Sequence, residues 1–218
     1  NPQLNVALFE KGSDLEHRSC PLIKGKVDRC VKCQHCAIME GMAGAGAFSD
    51  GKYVISTEYG GWLTEFLPEK TVLDYIEQAD RILVSYGATT ERYQPNNDLK
   101  RLCLQHDLHM AQAQLKHLGT DSNYETMLHM IRALEQQCDL FSATEVIQVE
   151  KDTHTLTVVH QGQTHSLTAD VIVFAVGRAG SRTFTEWCRQ KGIPLSNNQV
   201  DIGVRVELPA LIWQHFSE

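Results

Sequence analysis

The chain has 218 residues, 42% of them hydrophobic and 22% charged, a balance that suits one globular domain or slightly more and excludes collagen, coiled coil and disorder. Its 20 basic and 27 acidic residues give a net charge of -7, and the scatter of Lys and Arg argues against a nucleic-acid footprint. No apolar run approaches the roughly 18 residues of a membrane-spanning helix, so a small-molecule partner and no membrane are expected.

In chain order, residues 5–10 (NVALFE) predict a buried strand, followed by a polar, Cys-rich stretch at 11–39 and a small-residue loop at 41–51. Val72, Ile76, Ala79, Leu83 and Tyr86 recur at helical spacing up to Gly87, and Leu99, Leu102 and Cys103 mark one face of a shorter helix over 98–106. Ser122 and Glu125 form a capping box for a helix with the stripe Tyr124, Leu128, Ile131 and Leu134, ending near Gln137. The β-rich runs 140–149, 155–160 and 164–167 predict an antiparallel meander. Asp170 then introduces VIVFAV, apolar on both faces, as in a central strand of a parallel sheet. Thr183 and Glu186 form a second capping box for a helix that Gly192 closes. The start at Asn1 and the uncapped LIWQHFSE ending read as a segment of a longer chain.

Four features carry chemistry. Glu10 ends the first strand where a dinucleotide-binding unit places a carboxylate for ribose hydroxyls. The loop GMAGAGAFSDGK, residues 41–52, gathers glycine and alanine where backbone can approach a flat or phosphorylated ligand; Tyr53 after Lys52 excludes a P-loop. KHLGTD, residues 116–121, groups a cation, an imidazole, a hydroxyl and a carboxylate, with His117 a candidate proton donor. Finally Cys20, Cys30, Cys33 and Cys36 have the spacing C-x9-C-x2-C-x2-C, suited to zinc or, with three of them and one more ligand, an iron–sulfur cluster, though the C-P that follows the bacterial cluster motif is absent. Seven cysteines, an odd number, with no apolar leader in the chain, fit a reducing, cytoplasmic compartment.

FEKG, R-x-C-P at 18–21, the cysteine cluster, GAGAFSDGK, GGWLTEFL, KHLGTD, VIVFAVGR and VDIGVRVE follow one another in an order that resembles the uncharacterised FAD-dependent dehydrogenases, also called NAD(FAD)-utilising dehydrogenases. The resemblance covers nearly the whole chain. It implies a partial FAD/NAD(P)-binding Rossmann-like fold of the doubly wound α/β type over residues 1–191, with a helical insertion at about 57–115 and the small meander. A second, substrate-side domain would begin at 192. The Gly-rich turn before FEKG and the C-terminal part of the flavin domain would lie outside this chain.

Carried over position by position, the likeness puts Glu10 on the adenosine ribose, with Lys11 and Arg18 near ribose and phosphates. Gly44, Ala45, Gly46, Ser49, Asp50, Gly51 and Lys52 would run beside the flavin, and the backbone of Val146 would meet the adenine edge. Ala175, Gly177 and Arg178 would close over the dinucleotide, with Val176 where many flavoproteins have Thr. The implied activity is that of an FAD-dependent oxidoreductase, with NAD(P)H a candidate electron donor and the substrate undetermined; a fragment lacking the Gly-rich turn is expected to be inactive alone. The alternative is a cysteine-ligated zinc or iron–sulfur module without flavin chemistry.

Overall fold

The computed structural model describes residues 4–58, 60–110, 113–197, 200, 202–204 and 206–217; Asp201 and Arg205 of VDIGVRVE lie outside the described residues. The fold is mixed α/β. It divides into two units, residues 1–179 and 180–218.

The first unit opens with β1 (Ala7–Phe9), a strand shorter and more exposed than the buried run expected over 5–10. It is exposed because its one ladder partner among the described residues is β4 (Asp139–Phe141), in parallel register Ala7↔Asp139 to Phe9↔Phe141, and a two-stranded sheet leaves side chains uncovered. The rings of Phe9 and Phe141 stack with centroids 5.2 Å apart. The ladder extends through Glu10, whose N–H donates to the Phe141 carbonyl (2.9 Å) and whose carbonyl accepts from Thr144 (2.9 Å).

Next comes a hairpin-like pair of distant strands, β2 (Lys52–Ile55) and β3 (Gln114–His117), antiparallel with Lys52 opposite His117. Between them lie α1 (Glu69–Ser85), closed at Gly87 with φ 112°, and α2 (Asn97–Gln105), whose N-cap Asn96 accepts from the N–H groups of Asp98 and Leu99. The expected face of α2 is only partly covered: Leu99 and Leu102 stand about half exposed, while Cys103 is half-buried.

Helix α3 (Thr120–Leu134) supplies the core. Met127, Leu128 and Ile131 pack with Leu15, Met42 and Ala47, and Tyr124 and Leu140 lean against that cluster. The capping box at Ser122 does not form, since the helix begins three residues sooner, after Gly119. The loop fixes that entry: Leu118 N–H donates to Gly51 (3.1 Å) and Gly119 N–H to Asp50 (2.9 Å).

The meander is present as β5 (Thr144–Glu150), β6 (Thr155–His160) and β7 (Gln163–Thr168), antiparallel in that order, with a bulge between Val146 and Gln148. The VIVFAV segment is not a strand. A strand exists through its ladder, and among the described residues no third strand joins β1 and β4, so Val171 and Val173 are 75% and 81% exposed instead of doubly covered. Helix α4 (Gly177–Gln190) starts before Thr183, propagating back through Arg178 and Ala179, good helix formers, and so engulfs the second capping box.

In the second unit Gly192, at φ 69°, closes α4 as expected, Phe184 and Trp187 stack at 5.9 Å, and α5 (Ala210–Ser217) follows.

Candidate functional site

Glu10 leaves β1 with its carboxylate turned onto backbone: Oε1 accepts from the N–H groups of Gly12 (2.8 Å) and Gly41 (3.0 Å). The strand end and the loop approach so closely that a Cβ on Gly12 would sit 2.6 Å from the Gly41 nitrogen. Only glycine permits this contact. Lys11 is taken up by Glu40, with Nζ 3.2 Å from Oε2, and His35 Nδ1 lies 3.4 Å from the same oxygen. That oxygen is sealed from solvent and meets the Lys11 ammonium and the His35 ring without a directed hydrogen bond.

Arg18 is 7% exposed and organises the loop from inside. Nε donates to Ala37 (2.9 Å), Nη1 to Met42 (2.8 Å) and Gly44 (2.7 Å), and Nη2 to Ile38 (2.9 Å), while the guanidinium carbon stands 4.7 Å from the centre of the Phe48 ring. Burial pulls its pKa below the ordinary value, partly offset by the nearby charges of Glu10, Cys36 and Tyr124. Four carbonyl dipoles stand in for the water it has lost.

Beyond Arg18 the chain turns at Gly44, whose φ of 61° and ψ of -162° are open essentially to glycine alone, and enters a 3-10 turn, Ala45–Phe48. Gly46 differs. Its φ is not positive, and a Cβ there meets nothing within 4 Å, so neither its backbone nor a neighbour in the chain demands glycine. The side of Gly46 that a Cβ would occupy is open among the described residues.

Asn123 then ties this turn to α3. It is fully buried, its Nδ2 donating to Gly46 (2.8 Å) and, at 3.4 Å, to both Ala47 and Ser49, and its Oδ1 accepting from the Tyr53 hydroxyl (2.6 Å). Gly51 is needed beside it: a Cβ would lie 2.8 Å from Asn123 Cβ, at φ 64°. Ser49 Oγ donates to the Gly46 carbonyl (2.8 Å) and accepts from Gly51 N–H (3.2 Å). Residue spacing alone does not single out Asn123, but its position four and eight residues before Met127 and Ile131 puts a polar side chain on the buried face, and that is the available signal.

The loop and KHLGTD, far apart in sequence, come together. Asp50 Oδ2 lies 3.0 Å from Lys52 Nζ and 3.5 Å from His117 Nε2. The Lys52 hydrogen bond, with the charges of Lys52 and His117, outweighs the smaller effect of desolvation and holds the Asp50 carboxyl below its usual range. Lys116 points to the other face of β3, as strand alternation requires. There it is 1% exposed, donating to Thr89 (2.7 Å) and pairing with Asp80 (2.7 Å), which also meets Arg92. Lys116 is thus a structural cation, while His117 is half exposed beside Asp50.

Other expected residues stand apart from this group. Val146 sits on β5 opposite Val158, at the bulge. Ala175, Gly177 and Arg178 are exposed where α4 begins. Cys30 and Cys33 are exposed, Cys20 and Cys36 half-buried, all four thiols free, and among the described residues no three His, Cys, Asp or Glu side chains gather to hold a metal. No helix among the described residues is long and apolar enough to cross a membrane. No protein-family model matches the chain, and no curated protein matches it.

Proposed function

We propose that the chain is part of an FAD-dependent oxidoreductase of the doubly wound type, in which the face from Glu10 through residues 41–52 to His117 receives the dinucleotide. The observation that carries this reading is Gly46: a glycine whose missing side chain nothing among the described residues explains, in a loop held by Arg18 and Asn123. Rigid backbone open to one side suits a flat ring system at close range. The parallel pairing of β1 with β4 and the ordering of Glu10 at the strand's carboxyl end support the same reading. Glu10 Oε1 carries both backbone bonds and Oε2 none among the described residues, which leaves Oε2 for a sugar hydroxyl.

Bound FAD would supply the two-electron redox chemistry; the protein's residues bind, orient and handle protons. Asp50, kept ionised by Lys52, orients the His117 ring through Nε2, so Nδ1 is the atom left to give or take a proton.

The test is FAD titration of the protein and its Gly46→Val variant, followed by flavin fluorescence. Forcing a side chain into an occupied space costs about 1–3 kcal/mol, so the variant should bind about tenfold more weakly or worse. Its melting temperature should match the parent, since the new side chain touches nothing in the free protein. Equal binding by both would overturn the placement, and no binding by the parent would overturn the function.

A further inference from the structure

The start of β5 is laced to the turn that follows β1. Ala143 N–H donates to the Gly12 carbonyl (2.7 Å) and Thr144 N–H to the Glu10 carbonyl (2.9 Å), so the strand begins against the residues that carry the Glu10 carboxylate. On β6, His160 stands directly opposite Thr144. Hydrogen-bonded strands lie about 4.8 Å apart, which puts His160 roughly two such spacings from Glu10. A base attached to a ribose on Glu10 reaches that far.

What His160 offers there is fixed by its neighbours. Thr144 is 2% exposed, and its Oγ1 lies 2.9 Å from the Ser142 carbonyl and 2.7 Å from His160 Nδ1. A carbonyl only accepts, so the one hydroxyl proton goes to Ser142, and Oγ1 can only accept from the ring. Nδ1 therefore carries the proton of the neutral imidazole, and Nε2 is a bare acceptor. Among the described residues Nε2 has no partner. The ring is half-buried with Nδ1 turned in to a buried hydroxyl, so Nε2 is the atom it presents outward.

We propose that His160 selects the base of the dinucleotide, an inference that rests on the nucleotide reading of Glu10 above. Its Nε2 accepts a hydrogen bond from the exocyclic amino group of adenine. A purine that carries a carbonyl oxygen at that place, as hypoxanthine and guanine do, sets acceptor against acceptor. Neither then has a proton to share, and both lose water. The chain from Ser142 through Thr144 to His160 thus holds one tautomer, and the tautomer decides which base is favoured.

The experiment titrates the protein with FAD and with its hypoxanthine analogue, in which a carbonyl oxygen replaces the adenine amino group, and follows flavin fluorescence. The protein should bind FAD about tenfold more tightly than the analogue, the margin of one hydrogen bond exchanged for two facing acceptors. His160→Ala should bind the two alike. His160→Lys, which offers a donor in place of the acceptor, should favour the analogue. A ring that merely joined β5 to β6 would affect both ligands together and leave their ratio unchanged. Equal binding of the two by the parent, or a preference for FAD that survives in either variant, overturns the base contact and leaves the flavin site standing. No binding of FAD by the parent overturns both.

Discussion

A buried asparagine with all its polar atoms engaged costs more to lose than a surface contact, because truncation strands the groups it served. Asn123 serves carbonyls of Gly46, Ala47 and Ser49 and the Tyr53 hydroxyl from a fully buried position. Asn123→Ala should therefore destabilise the protein by about 2–4 kcal/mol in urea unfolding, the sum of one or two stranded groups. The glycines of the same loop should split in a way sequence cannot show. Gly51→Ala meets Asn123 at 2.8 Å and a positive φ and should lower the melting temperature, whereas Gly46→Ala meets nothing and should leave it unchanged. Both read alike in the string GAGAFSDGK; only the packed loop separates a glycine needed for folding from one that folding leaves unexplained.

At the scale of elements, α1 is bound to β3 by charge. Asp80, 7% exposed, meets Lys116 at 2.7 Å and Arg92 at 2.8 Å, and Arg92 also takes Glu77. Burial alone would raise the Asp80 pKa, but the bonds from Lys116 and Arg92 outweigh it and hold the carboxyl below its ordinary value; the Arg92 bond does the same for Glu77. A carboxyl depressed in the folded state contributes its stability above its unfolded pKa of about 4 and loses it as pH falls through the folded value. Acid should thus weaken the protein below about pH 4. Asp80→Asn should cost about 3–5 kcal/mol at neutral pH, because Lys116 is left buried and unpaired. It should also flatten the acid limb of a urea-stability profile against pH.

Elements with strong local signals were legible in the sequence: the α1 periodicity, the short helix α2 and the three meander strands stand close to where pattern places them. Those that depend on a remote partner were not. The start of α3 is set by Asp50 and Gly51 across the hairpin, and residues 171–176 have strand composition but no ladder among the described residues. Within the site, Glu10 and His117 could be singled out by residue type and place and Asn123 only by a polar residue on the buried face of α3, while Glu40 and the inward turn of Arg18 became visible through contacts.

For the whole molecule, we propose that Glu10, the glycine loop and the Asp50–His117 pair together receive a flavin dinucleotide. These parts are joined through the first unit by backbone and side-chain bonds: Glu10 to Gly41, Arg18 to Gly44, Asn123 to Gly46, and Asp50 to Gly119 and His117. The most direct measurement is to mix the protein with excess FAD, separate free flavin by gel filtration and read flavin absorbance in the protein peak. One flavin should be carried per chain and be lost from Gly46→Val; a protein peak without flavin colour would contradict flavin binding.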